Sequence, residues 1–385
     1  MNFHNVLNNT YTLILLFTLA LSLVTLCLYY GLMWLRVGLY KNSRIPDAST
    51  VSEGDYPSVS VVLVAHNEAE QLKKTLPYLL EQDYPDYEVV VVNYLSTDET
   101  PFVLRVCSEN YPILKPVVIK NDVNMFQGRK YPVSIGIKSA TKDIILLTEA
   151  DSLPASFNWI KEMIRGYMHG ASMVIGNACP NQEKTVLNAF EQYDILTQNA
   201  SCLGMALAGN PYTATSRNLS FRRDFFFNKG AFIPLYNIPV GGEELFVNHN
   251  ANKSNTTIVV SDDSSMSFDA PADFAQWHQD RWQRAASSRN FKTRDRLLRV
   301  SYPLMQALFL ASLVWLLVAG LFPWQILVSV LALKIIWQTL CCYFLAKRFK
   351  IKKIQYFSLF FEFYFLVANT FLFFSTLRKK KFQWR

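Results

Sequence analysis

The stretch Leu146 to Pro154, LLTEADSLP, sets an apolar run against two carboxylates, Glu149 and Asp151, separated by one alanine. An apolar run without alternation is the pattern of a strand covered on both faces, as in a parallel sheet. The acids then stand where that strand stops, so the fold depends on what other strands lie beside it.

Upstream, Ser58–Ala65 (SVSVVLVA), Tyr87–Val92 (YEVVVV) and the short Pro116–Ile119 share this character, and Asp143–Thr148 is the fourth strand. Helical spacing over Glu68–Leu80, Asp98–Cys107 and Tyr131–Ala140 falls between them. Strand and helix in turn predict βαβ units and an open α/β sheet. Ligands of such sheets bind beyond the carboxyl ends of the strands, where loops and helix N-termini converge. The sequence turns polar at those ends, in His66-Asn67-Glu68, in Asn93–Asp98 (NYLSTD) and in Glu149-Ala150-Asp151.

No GxGxxG opens the first helix and no GxxxxGK[ST] occurs anywhere, so a glycine cradle for phosphates is missing. Two rim carboxylates point instead to a divalent cation, Mg²⁺ or Mn²⁺, a hard ion that takes oxygen ligands and can bridge a diphosphate. An isolated acid-x-acid pair is more often a solvated strand end or a helix cap. Its place after the fourth strand, with two further polar clusters on the same rim, favours the ligand.

Composition adds a membrane. The chain has 385 residues, is 51% hydrophobic and holds 28 Phe, more apolar than a wholly water-exposed protein carries. Thr12–Trp34 is 23 residues without a charge, enough to cross about 30 Å of hydrocarbon at about 1.5 Å per residue. A cleaved signal peptide is disfavoured, because no Lys or Arg precedes the run and Trp34-Leu35-Arg36 lacks small residues. Pro303–Leu321 and Pro323–Ala346 read as a helical hairpin followed by Phe357–Leu377, with Lys334 and Glu362 interrupting the apolar runs. An intramembrane glutamate faces protein or an aqueous pocket rather than lipid.

Arg36, Lys41 and Arg44 follow the first apolar segment, and Lys292, Arg294, Arg296 and Arg299 precede the second. The positive-inside rule then puts the intervening domain in the cytoplasm. The same rule conflicts with itself further on. The basic loop Lys347–Lys353 and the basic tail Arg378–Arg385 flank one apolar segment, so either Phe357–Leu377 re-enters or lies in the interface, or one preceding segment does not cross. Without those ten basic residues the chain holds 28 basic against 30 acidic side chains. The net charge of +8 is therefore a membrane-flank feature and argues against nucleic acid as a partner. The six cysteines show no CxxC spacing, which excludes a structural zinc site of that type and gives no disulfide framework.

Taken together, VSVVLVAHNE, YEVVVVNYLSTDET, GRKYPVSIGIKSA and ILLTEADSLPASFNWI resemble the nucleotide-sugar domain of family 2 glycosyltransferases of membrane-anchored bacterial type, which have the GT-A fold. The likeness continues through NPYTATSRNLSFRR, GGEELFVNHN and WHQDRWQRAASS, roughly Pro57 to Ser288. It implies an α/β class with a GT-A-like open mixed sheet flanked by helices, and transmembrane or interfacial helices at both ends. The expected division is an anchor over 1–40, a linker over 41–57, a glycosyltransferase domain over 58–300 with nucleotide-sugar and acceptor halves meeting at 155/156, and C-terminal helices over 301–385.

The resemblance further implies an inverting transfer of sugar from a nucleoside-diphosphate sugar, a UDP-sugar first, to a hydroxyl of a lipid-linked, amphiphilic or growing glycan acceptor. Glu149 and Asp151 occupy the family's DxD, with Asp151 the firmer metal ligand. Ala65, Asn67, Glu68, Asn93, Asp98, Lys130 and Arg281 fall on the donor side. Glu244 is the expected general base with Glu243 as its understudy, since a carboxylate partly desolvated beside another gains the raised pKa that deprotonating a hydroxyl needs. Trp282, Arg217 and Asn218 fall on the acceptor side.

The segment His278–Trp282 (HQDRW) stands for the family's QxxRW, and a register one or two residues later would promote Gln283 and Arg284. Departures lie at Asn93-Tyr94, where the family has an acidic pair, at Glu149 and Glu244 in place of Asp, and at His278 in place of Gln. They leave room for a catalytically silent scaffold. A nucleotidyl or phosphosugar transferase is the alternative from another enzyme class.

Overall fold

The computed structural model describes residues 10–41, 56–120, 128–168 and 170–376. Most of the expected linker, Leu377 and the basic tail from Arg378 lie outside the described residues. In chain order the main helices are α1 (Thr10–Tyr29), α2 (Ala69–Leu80), α3 (Thr100–Asn110), α4 (Lys130–Ser139), α5 (Trp159–Ile164), α6 (Val186–Leu207), α7 (Arg223–Asn228), α8 (Glu243–Asn250), α9 (Phe274–Ser288), α10 (Thr293–Val318), α11 (Trp324–Arg348) and α12 (Ser358–Ser375). The strands are β1 (Val59–Ala65), β2 (Tyr87–Tyr94), β3 (Leu114–Ile119), β4 (Ile144–Leu147), β5 (Ser152–Pro154), β6 (Met173–Ile175), β7 (Ala178–Pro180), β8 (Leu219–Arg222), β9 (Thr256–Ile258) and β10 (Met266–Phe268).

The chain falls into two compact units. Among the described residues, one comprises those within 40–191 and Met205–Phe291, the other 10–39, Gln192–Gly204 and 292–376.

In the first, seven strands form a mixed sheet in the order β3-β2-β1-β4-β8-β6-β9. β1 to β4 are mutually parallel, β8 runs antiparallel to β4 and to β6, and β9 is parallel to β6. The four expected strands are present, and β1 and β4 are buried along their whole length, as runs apolar on both faces require. Ala65 and Asn93 are register partners at the carboxyl ends of β1 and β2.

The parallel register is pinned by one buried acid. Glu88, at the start of β2, accepts from Ser60 Oγ (2.6 Å), from Thr141 N (2.6 Å) and from Thr141 Oγ1 (2.9 Å), and pairs with Lys115. Burial alone would raise its pKa, but Lys115 and these donors outweigh it and hold the carboxyl at about 2. β5 starts one residue after Asp151 and joins a second sheet of order β5-β10-β7, so the acids sit where the chain passes from one sheet to the other.

The second unit is built on four helices long and apolar enough to cross a membrane, Thr10–Gly38, Thr293–Val318, Trp324–Arg348 and Ile354–Ser375. The last is as suited to crossing as the others by length and composition. α1 continues through a π turn, Tyr30–Leu35, to Gly38, where an added Cβ would lie 2.7 Å from the Phe344 carbonyl carbon. Only glycine lets the two backbones approach so closely.

The charges interrupting these runs meet inside the unit. Lys334 Nζ lies 2.6 Å from Glu362 Oε2 and donates to Gln338 Oε1 at 2.7 Å. Tyr30 Oη and Gln306 Nε2 both donate to Glu362 Oε1. One polar layer thus joins α1, α10, α11 and α12, with every carboxylate oxygen of Glu362 satisfied, as burial away from water requires.

Breaking such a pair leaves an uncompensated buried charge at a cost of about 3–5 kcal/mol, whereas replacing both partners by apolar groups is close to neutral. Glu362→Gln and Lys334→Met are each expected to lower the detergent-solubilised unfolding temperature. Lys334→Met with Glu362→Leu should recover most of the loss; a double variant as unstable as the two singles combined would contradict this.

Candidate active site

The loops after β1 and β2 are stitched together at the rim. Asn67, with φ 56°, accepts from Thr97 N at 2.8 Å and donates its own N–H to Ser96 Oγ at 3.0 Å. Asp98 caps two helices at once, accepting from Ala69 N (3.1 Å) at α2 and from Thr100 N (3.0 Å) at α3. Burial would raise the Asp98 carboxyl, but the hydrogen bonds from Thr100 and Ala69 outweigh it and lower the pKa. Each Asp98 oxygen therefore accepts from one helix N-terminus, which anchors both loops.

Asn93 is buried, and its Oδ1 has no hydrogen-bond partner among the described residues. Glu68 stands beside it on the rim. Burial first, and then the fields of Asp151 and Glu149, push its carboxyl up to about 7 against the opposing His66 N–H and Arg129.

Glu149 is the centre of the site. Arg129 Nη1 and Ser216 Oγ both donate to its Oε1, and Arg217 Nη2 lies 3.1 Å from its Oε2. Burial would raise this carboxyl, but Arg129 and Arg217 outweigh it and hold the group ionised well below the usual carboxylate range. Asp151 is less committed: Arg217 Nη1 and Ser152 Oγ (3.2 Å) both engage Oδ1, while Oδ2 makes no hydrogen bond among the described residues. Arg217 is held in place by Ser152 Oγ at 2.9 Å and by the Phe268 ring, 4.1 Å from its guanidinium.

The second acid pair begins α8. Glu243 is buried, with Oε1 4.0 Å from Arg129 Nη2. Burial raises its pKa, Arg129 opposes this, and Glu244 adds to it. Glu244 is half-buried, and its Oε2 accepts from Gly242 N at 3.1 Å.

Several expected positions turn out differently. Lys130 does not face the rim: its Nζ donates to the carbonyls of Ile238 (2.5 Å) and Gly241 (2.7 Å). Its neighbour Arg129 is the basic group that reaches the acids, and nothing in the spelling Gly128-Arg129-Lys130 distinguishes the two. Asn218, expected near an acceptor, is fully buried; it accepts from Trp159 Nε1 at 3.1 Å and donates to the carbonyls of Asn177 (2.8 Å) and Ser264 (2.7 Å). Arg217, expected on the acceptor side, is bound to the donor-side acids.

Arg281 is 5% exposed, with its guanidinium 4.8 Å from the Trp277 ring centroid. The guanidinium packs inward against that ring. On the same helix, Asp280 feels Arg284, Arg217, Glu149 and Asp151, although burial is the first cause of its raised pKa. The later register, with Arg284 in place of Arg281, is the one that puts a guanidinium in this electrostatic cluster. Trp282 is half-buried, and its Nε1 has no partner among the described residues.

The cluster therefore holds six acids, Glu68, Glu149, Asp151, Glu243, Glu244 and Asp280, and four bases, Arg129, Lys130, Arg217 and Arg284. When all are ionised, two negative charges are in surplus. No group of three or more His, Cys, Asp or Glu stands at metal-binding spacing among the described residues. The surplus charge and the unbonded Asp151 Oδ2 suit a divalent ion held by one carboxylate together with substrate phosphates, a frequent arrangement for Mg²⁺.

Comparison with known proteins accords with this architecture. Residues 60–224 match the family model for glycosyl transferase family 2. The probable glycosyltransferase YdaM of Bacillus subtilis (strain 168) is 30% identical over 185 residues, 46% of this chain and 43% of that protein. A poly-beta-1,6-N-acetyl-D-glucosamine synthase of Staphylococcus epidermidis is 26% identical over 136 residues, 34% of this chain and 31% of that protein. The chain thus spans less than half the length of these two relatives. Among solved structures, the mannosyltransferase PcManGT of Pyrobaculum calidifontis, in complex with GDP-Man and Mn²⁺, superposes with a TM-score of 0.56 at 20% identity, covering 86% of this chain and 98% of that one. Residues 60–224 thus resemble the glycosyl transferase family 2 domain, and the mixed sheet they belong to has a GT-A-like fold.

Proposed function

We propose that the chain is a membrane-anchored, inverting glycosyltransferase that moves a sugar from a nucleoside-diphosphate sugar to a hydroxyl of a lipid-linked or growing glycan acceptor. The observation that carries this reading is Arg129, which binds the donor-side acid Glu149 and lies 4.0 Å from Glu243 of the second acid pair. Groups for the diphosphate and for the attacking hydroxyl thereby share one electrostatic cluster. The four apolar helices favour an acceptor with a membrane-borne part, and the likeness to a poly-beta-1,6-N-acetyl-D-glucosamine synthase favours a glycan. The same helices and their basic flanks support a domain facing the cytoplasm.

Asp151 would hold the divalent cation through Oδ2, and the ion when bound would neutralise the donor diphosphate and stabilise it as a leaving group. Glu149 stays engaged by Arg129, Arg217 and Ser216 and fixes those guanidiniums beside the diphosphate, where they counter the charge that grows on it. The unpartnered Asn93 Oδ1 offers an acceptor to an N–H of the nucleobase. Glu244, the more accessible of the second pair, removes the proton of the acceptor hydroxyl, and buried Glu243 stands next to it at the start of α8.

Asp151→Ala is expected to lower turnover by about 100-fold or more and to weaken binding of UDP or GDP with Mn²⁺ in calorimetry. Wild-type activity in this variant would remove the proposed role. The products also decide between classes of enzyme: release of pyrophosphate or a nucleoside monophosphate, in place of a nucleoside diphosphate, would overturn the glycosyltransferase reading.

Glu244→Gln should keep nucleotide affinity within about threefold and lose about 100-fold or more in transfer, as removal of a general base does. Glu243→Gln is expected to lose about tenfold. The reverse order would exchange their roles.

Glu68 gives a pH signature. Its folded pKa is raised above the value of an unfolded glutamate, so ionisation costs stability: the penalty is absent below about pH 4.5 and grows as pH rises towards 7. Glu68→Gln is expected to raise the unfolding temperature at pH 8 and to leave it unchanged at pH 4.5. Equal shifts at both values would contradict the electrostatic origin.

A further inference from the structure

Lys130 is 4% exposed and has no part in the mechanism above, yet its ammonium makes two hydrogen bonds. It donates to the carbonyls of Ile238 at 2.5 Å and Gly241 at 2.7 Å, both in the loop that leads into α8. One turn further along α4, on the same face, Ser134 Oγ lies 3.2 Å from Tyr236 Oη of the same loop. Residues four apart share a helix face, so α4 presents two consecutive polar side chains to one segment.

That segment has little freedom. Gly241 adopts φ +85°, and a Cβ there would stand 2.3 Å from Ser287 Oγ and 2.8 Å from Leu245 Cδ1. Gly242 then caps α8, its N–H donating to Glu244 Oε2 at 3.1 Å. The turn is thus pressed between α9 and the first turn of α4, and Glu243 and Glu244 are the next two residues.

We infer that Lys130 is a positioning residue for the acid pair that begins α8. Its two carbonyl contacts fix the Ile238–Gly241 turn, and the adjacent Arg129 ties Glu243 to Glu149, so that this dipeptide sets the spacing between the donor-side acids and the base-bearing helix. The inference rests on the reading of Glu243 and Glu244 as the base pair. It differs from a donor contact, because the ammonium is held by two backbone carbonyls. A misplacement of about 1 Å in a reacting group costs about 100-fold in rate, so a residue that touches no substrate can still govern turnover.

The test uses Lys130→Met in the full-length, detergent-purified protein. Hydrogen–deuterium exchange is followed over residues 236–246, binding is measured with UDP–Mn²⁺ and GDP–Mn²⁺, and turnover is followed as hydrolysis of whichever of UDP-N-acetylglucosamine, UDP-glucose or GDP-mannose the wild type consumes. The expected result is exchange faster by about tenfold or more, hydrolysis slower by about 30- to 100-fold, and nucleotide Kd within about threefold of wild type.

Unchanged exchange would overturn the inference. So would a Kd that weakens in step with turnover, since that would make Lys130 a nucleotide contact. If exchange rises and Kd holds while Glu243→Gln and Glu244→Gln both keep full hydrolysis, the positioning of the turn stands and the base assignment falls. Should Lys130→Met not fold, Lys130→Gln, which keeps one donor, decides by the same measurements.

Discussion

The sheet-bearing unit is organised around a single buried carboxylate. Glu149 draws Arg129 from the start of α4, Arg217 and Ser216 from the loop before β8, and sits itself at the end of β4. Three segments that are remote in sequence are thereby fixed at the carboxyl edge of the sheet. Taking a carboxylate out of water is costly unless it is paired and fully hydrogen-bonded. Here two guanidiniums and a hydroxyl meet that demand, and the result is a rigid, charged floor.

Because Glu149 is so heavily engaged, the labour of the acid pair is divided. Asp151 keeps an oxygen without a hydrogen bond among the described residues, at the point where the chain leaves one sheet for the other. Burial raises the pKa of Glu68, Glu243 and Asp280, whereas Arg129 and Arg217 outweigh burial at Glu149. Environment, not residue type, separates the acids into permanently charged and titratable ones.

The membrane unit obeys the same rule in a different solvent. Glu362 and Lys334 interrupt apolar helices, and both find each other together with Tyr30, Gln306 and Gln338. Hydrocarbon offers no water to a stray charge, so the layer is complete or the helices do not pack. Such a layer also fixes the register of four helices whose remaining surfaces are nearly interchangeable.

Much of this was legible in the linear chain. Runs such as Ser58–Ala65 and Tyr87–Val92 can only be strands covered on both sides, and Thr12–Trp34 is uncharged over a membrane's width, because period and length are local properties. The rim clusters followed from the same alternation, since strand ends fix where Glu68, Asn93 and Glu149 emerge. What the chain could not disclose is where individual polar side chains point once several segments converge. Arg129 and Lys130 are adjacent and chemically alike, yet one meets Glu149 and the other two carbonyls more than a hundred residues away. Asn218, Asp98 and Arg281 carry the residue types of a binding site, and the fold sets them against loop carbonyls, helix N-termini and a tryptophan face respectively. Their partners are set by tertiary packing, because a buried hydrogen-bonding group takes whichever complementary atom the fold brings within about 3 Å, and sequence spacing holds no record of that distance.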